Sequence, residues 1–145
     1  MATSIIYNSC LDDLAKGNID FDTDTFKVML VNSTYAAIAD ETKKDSHVKR
    51  SDITANEVSG TGYSAGGATV TVSVTKSTAN NRVDISLGGT NWTTSTISAY
   101  GAVYYKSRGG SDSADEIIAY IDFGGAIAST ADTFTLSAST LRLAN

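Results

Sequence analysis

Apolar residues recur with a helical period only once along the chain. Between residues 4 and 16, Ile6, Cys10 and Leu14 stand four apart with Tyr7 and Leu11 beside them, which lines one face of an amphipathic α-helix. Thr3 or Ser4 is placed to cap its start, and Gly17 to release the chain in a left-handed turn. From Asp24 the period becomes two. Phe26, Val28 and Leu30 alternate with Lys27, Met29 and Val31, which predicts a strand with one apolar and one mixed face. Residues 32–57 form an irregular excursion, the least patterned part of the chain. It holds the charged stretch Asp40-Glu41-Thr42-Lys43-Lys44-Asp45, and a short helix is expected around Asp45 to Ile53. Excursions of this length are usually functional or mobile.

Strand signals then follow at short intervals. Val70, Val72 and Val74 share one face of a strand running from Ala68 to Val74. Asn80-Asn81 marks a turn, and Val83, Ile85 and Leu87 return as the hairpin partner, ended by Gly88-Gly89. Trp92 and Ile97 fall in a short strand or loop. Ala99 to Lys106 is a strand with Tyr100, Ala102 and Tyr104 opposite Gly101, Val103 and Tyr105. After the plain surface loop Ser107 to Asp115, the stretch Glu116 to Phe123 sets Ile117, Ala119, Ile121 and Phe123 on one side, and Thr133 to Leu143 closes the chain. Seven or eight strands with one short N-terminal α-helix predict a single β-rich structural domain over residues 1–145. The expected fold class is all-β and mainly antiparallel, a sandwich or a jelly-roll-like barrel, with the strand order open.

Composition sharpens this picture. The 145 residues include no proline, 12 glycines, 19 threonines and 18 serines, a mixture that suits many short strands and turns. The net charge is −5. The basic residues are scattered apart from a loose group of Lys43, Lys44, Lys49 and Arg50, which argues against a nucleic-acid partner because phosphate contacts need a basic surface. No apolar run reaches the roughly 18 residues of a membrane span, and the N-terminus lacks the basic and apolar segments of a secretory signal. Asn32-Ser33-Thr34 and Asn91-Trp92-Thr93 are therefore read as chance sequons. Cys10 is the only cysteine, so no intrachain disulfide forms, as befits a protein made in reducing cytoplasm.

The candidate chemistries are weak. His47 is the only histidine, and no Gly-x-Ser-x-Gly elbow positions a serine for it. A Cys10–His47 dyad would need a thiol that lies on the apolar stripe of the helix, where buried cysteines are inert. Asp20-x-Asp22-x-Asp24 begins like a calcium loop, but Thr25 stands at the sixth position and Val31 at the twelfth, where glycine and glutamate belong. A turn closed by aspartate hydrogen bonds accounts for it better. Gly60-x-Gly62-x-x-Ala65 matches the loose dinucleotide fingerprint, yet a strand follows where a helix is needed. Carboxylate pairs for glycoside cleavage are numerous in an acidic chain, and Tyr104, Tyr105 and Tyr120 read as packing residues. The expectation is a non-enzyme with no catalytic, metal or cofactor residues and no cofactor. Its interface residues are unknown, to be sought first in the N-terminal segment and in 32–57.

Several stretches together resemble one family. They are Gly17 to Val28, Asn56 to Ala68, Trp92-Thr93, Ala102-Val103-Tyr104-Tyr105 and Ile118 to Gly124, with Glu57-Val58-Ser59-Gly60-Thr61-Gly62-Tyr63 the most specific. In this order, covering nearly the whole chain, the sequence resembles small structural proteins of tailed bacteriophages. The resemblance implies a virion component made in the host cytoplasm. The expected role is a head decoration (cement) protein on the capsid surface that binds across seams of the major capsid protein, as a homo-oligomer with a trimer favoured. Two alternatives stand beside it. One is a tail, baseplate or head-fibre module. The other is a carbohydrate-binding β-sandwich whose exposed aromatics lie around Trp92 and Tyr100.

Overall fold

The computed structural model describes residues 4–39 and 41–145. The elements in chain order are β1 (Ile5–Ile6), α1 (Asn8–Ala15), β2 (Phe26–Val31), α2 (Ser33–Ile38), α3 (Glu41–Ser46), β3 (Ala68–Val70), β4 (Val72–Ser77), β5 (Arg82–Leu87), β6 (Thr90–Lys106), β7 (Ile117–Leu136) and β8 (Ser139–Ala144). Two sheets form, one of order β1-β7-β6-β2-β3 and one of order β4-β5-β8. Every pairing is antiparallel. The expected all-β sandwich is what the chain adopts, and the sheets do not close into a barrel.

The five-stranded sheet is the middle of three layers. From β2, Phe26, Val28 and Leu30 enter a core shared with the three-stranded sheet, where Ile85, Leu87 and Leu141 meet them. Met29 and Val31 point the other way, into a second core with Tyr7, Tyr35, Ala39, Ile53, Val103, Tyr105, Ile117 and Tyr120. The face of β2 expected to be mixed is thus as buried as its apolar face, with Met29 and Val31 both at 0% exposure. Strands buried on both sides read as nearly continuous apolar runs, and Lys27 alone interrupts this one.

The excursion builds the cover of that second face. Tyr35 and Ala39 come from α2 and its exit, and Ile53 from the junction of two 3-10 turns at Arg50–Asp52 and Thr54–Asn56. The helix expected around Asp45 to Ile53 is not formed. α3 ends at Ser46, because the Asp52 carboxylate accepts the Val48 and Lys49 amides at 2.8 and 2.9 Å and Lys49 bridges to Glu116 as a strand residue. Asp40, inside the charged stretch, lies outside the described residues, as does Thr3, one of the two suggested caps.

Three further expectations need correction. The N-terminal helix begins at Asn8 rather than near residue 4, since Ile5 and Ile6 pair with Tyr120 and Ala119 as a strand. Ser4 caps nothing; its hydroxyl accepts the Asp122 amide at 2.9 Å. Gly17 does adopt the left-handed exit, with φ +77°. Second, the strand over Ala68 to Val74 is divided at Thr71, where the chain leaves the five-stranded sheet for the other. Third, Trp92 and Ile97 belong to a 17-residue β6 that also contains Ala99 to Lys106. The β6–β7 ladder shifts register four times, and each bulge breaks the period of two that would have revealed a long strand. One shift falls between Tyr104↔Ala119 and Tyr105↔Ile117, so Ile118 and Ala119 both enter the first core while Ile117 turns into the second. Ile117 therefore does not share a side with Ala119.

Candidate functional site

The most specific sequence block, Glu57 to Tyr63, forms a clasp. Its Glu57 carboxylate accepts the Tyr63 hydroxyl at 2.6 Å and the Gly66 amide at 2.7 Å, while the Tyr63 oxygen accepts the Leu30 amide at 3.0 Å. Burial, then the facing Glu57 charge, pushes the Tyr63 phenol well above its usual range. Thr61 bridges Thr96 of β6. Gly60 and Gly62 pass so close to Thr96 and Ser95 that a side chain at either would meet backbone. The loop therefore fastens β2 to β6. Its glycines open into β3 and not into a helix, so the dinucleotide resemblance has no structural basis.

A second polar cluster ties the excursion to the β6–β7 loop. Arg50 Nε donates to Asp115 at 2.8 Å and its guanidinium lies 4.9 Å from the centre of the Tyr105 ring. Glu116 receives Arg108 at 2.6 Å and Lys49 at 3.2 Å. The Glu116 carboxyl is held below its usual range: burial opposes ionisation, and the Arg108 and Lys49 contacts outweigh it. Asp115 and Glu116 are buried, so the end of the expected surface loop is a structural anchor. Lys49 and Arg50, grouped in the sequence with loosely clustered cations, serve here as internal counterions.

The remaining candidates are brought to different places. Cys10 is buried in the first core, and burial, with Asp13 nearby, pushes its thiol up to about 12. His47 instead meets the second core, where its Nδ1 lies 3.1 Å from the Tyr35 hydroxyl, itself 2.6 Å from the Tyr7 hydroxyl. A consistent relay has Tyr7 donating to Tyr35 and Tyr35 to a neutral His47. Burial pushes the Tyr35 phenol up to about 12. In the Asp20–Asp24 turn, Asp20 accepts the Asp22 amide at 2.9 Å, Asp24 accepts the Asp20 amide at 2.7 Å, and Asp24 pairs with Lys106 at 2.7 Å. These carboxylates close a turn, as expected. No described helix is long and apolar enough to cross a membrane.

Burial of His47 makes stability depend on pH. Burial first, then Lys43, lowers the His47 pKa from 6.5, against the pull of Asp52. Below pH 6.5 the unfolded chain takes up a proton that the folded chain resists, so stability must fall as pH drops through and beneath 6.5 and level off below the folded-state value. Urea midpoints between pH 7.5 and about 5 are expected to decline more steeply for the native protein than for His47→Gln. Parallel pH profiles would remove His47 from this account.

Trp92 is buried, packed against Tyr63 and Phe134 at ring separations of 5.7 and 5.9 Å. It offers no open face to a sugar, which takes away the residue on which a glycan site around Trp92 and Tyr100 was built. Uncovered apolar surface lies elsewhere, at the two ends of β8. Near its Leu143 end, Leu14, Phe21, Val74, Val83 and Leu143 line a groove of about 370 Å³. Near its Ser139 end, Phe123, Ile127 and Phe134 line another notch. Val74, Val83 and Leu143 were legible as apolar strand positions. That they line one hollow together with the 14–22 segment was not, because strand order decides it. No protein-family model, curated protein or solved structure matches the chain.

Proposed function

We propose that the chain is a structural component of a tailed-phage particle, a decoration protein that binds across seams between major capsid protein subunits. The family resemblance supplies the class. The observation that carries the mechanism is the pair of uncovered apolar surfaces at opposite ends of β8, since a bridging protein needs more than one adhesive face. Exposed aliphatic side chains stand in each hollow, Val74 and Leu143 at one end and Ile127 at the other, and suit contact with protein. The internal ion clusters and the double core give a stiff body, which loses little conformational freedom on binding. A protein that binds only the assembled shell stabilises it by mass action, and many symmetric copies multiply the effect.

Quantitative mass spectrometry of purified particles tests this reading. A decoration role requires copies in the hundreds per particle and retention on heads that lack tails. A copy number near that of tail or baseplate proteins, or recovery only with tails, would sink the decoration role in favour of the tail or baseplate one.

A further inference from the structure

The groove at the Leu143 end of β8 carries a charge pattern as well as an apolar floor. Val83 and Leu143 are common to two adjoining hollows, one bounded by Asp20 and Asp22 and the other by Lys76 and Arg82. The concave surface is therefore continuous, acidic at one end and basic at the other. Its floor comes from the inner face of the three-stranded sheet. Val74 pairs with Ile85, and Lys76 and Leu143 flank Val83 in one cross-strand row, so by alternation all of them face the side on which Ile85, Leu87 and Leu141 are buried. At this end of the core Val74 and Leu143 are left 42% and 41% exposed.

The charges at the rims are not all used internally. Arg82 and Arg142 share Asp84 at 2.9 and 3.5 Å. Among the described residues, Lys76 has no carboxylate partner and Asp22 no cationic one.

We propose that this groove is the contact between two copies of the chain related by a two-fold axis. The inference rests on the reading that the protein works by packing against protein neighbours: a second copy takes the Leu143-end groove, and each pair keeps two Ser139-end notches, one per copy, with which to bridge capsid subunits. One face that carries both signs of charge at opposite ends is complementary to itself after a half-turn. Asp20 and Asp22 of each copy then oppose Lys76 of the other, and Val74, Val83 and Leu143 meet across the axis; Arg82 lies on the opposite face of the sheet, paired with Asp84. A partner of a single charge sign would match one rim and be repelled by the other. A three-fold ring would need two different faces per copy, whereas here both signs lie on one. The pair is a dimer, where the family resemblance favoured a trimer.

Sedimentation equilibrium of the full chain tests the contact. A dimer mass is expected at high concentration, with association weakening as salt screens the rims. Lys76→Glu and Asp22→Lys alone are each expected to weaken dimerisation roughly tenfold or more, and mixing the two variants to restore it through matched rims. Leu143→Asp, at a half-exposed site that tolerates a polar side chain, is expected to give a monomer with an unchanged circular dichroism spectrum. A monomer at all concentrations, a trimer mass, or a dimer indifferent to these changes overturns the proposal. The two readings separate cleanly. A dimer of this kind absent from particles removes the virion role and leaves the contact, and a monomer that decorates heads does the reverse.

Discussion

Gly67→Ala is expected to cost about 3 kcal/mol or more of folding stability, enough to threaten folding of a marginally stable domain. Gly67 sits at φ +70°, a backbone conformation that L side chains rarely adopt. An added Cβ would also run into the Val28 carbonyl and stand 2.7 Å from its carbon and 2.8 Å from Met29 Cα. Those atoms belong to β2, the strand shared by both cores, and have no room to retreat. Gly109 is the control, because it has a similar φ of +76° but nothing within 4 Å of the position its Cβ would take. Gly109→Ala meets only the conformational penalty, about 1 kcal/mol. Urea unfolding of both variants measures the difference. Equal losses would mean that the close approach of the 57–67 loop to β2 has been misread.

Arg50→Ala is the second large effect, expected at about 3 kcal/mol. The Asp115 side chain is 2% exposed, and without Arg50 its remaining described hydrogen bond is from the Arg108 amide at 2.8 Å. A carboxylate stranded in this way loses the partner that offset its desolvation, and removal of one member of a buried pair typically costs 3 to 5 kcal/mol. The lower end applies because the Arg50 side chain is itself 15% exposed, so water reaches part of the site. The stacking of the guanidinium on Tyr105 adds a smaller share, roughly 0.5 to 1 kcal/mol. A double-mutant cycle with Asp115→Ala isolates the pair. The double variant is expected to be less destabilised than the sum of the single ones. Strict additivity would show that the two groups do not interact energetically.

Both predictions concern the same architectural feature. Segments far apart in the chain, at 49–50, 57–67 and 107–116, are fastened to the central sheet by buried polar contacts. Such contacts contribute little when complete and cost much when one partner is lost. They tie the excursion and both loops to the middle layer.

Local pattern was enough for much of this fold. The strands at Phe26 to Val31 and the hairpin around Asn80-Asn81 follow from alternation and turn chemistry, which act within a few residues. The fate of Asp20, Asp22 and Asp24 as a turn followed from the residues that break the calcium pattern. The excursion could not be read the same way. Tyr35 and Ala39 stand one helical turn apart, but α2 spans only six residues, too few for a period to declare itself, and Ile53 comes from a separate junction of two 3-10 turns. The bulges in β6 and β7 hide in the same manner, since each is defined by the partner strand.

What the sequence by itself determined is the all-β, mainly antiparallel class and the polar character of the turns, because alternation of side chains is a property of the strand alone. Only the tertiary structure decided that the five-stranded sheet is buried on both faces, that Lys49 and Arg50 meet Asp115 and Glu116, and that Val74, Val83 and Leu143 stay open at the end of the sandwich. The physical reason is that burial and charge pairing depend on which distant segments meet in space, and many strand orders satisfy the same local alternation.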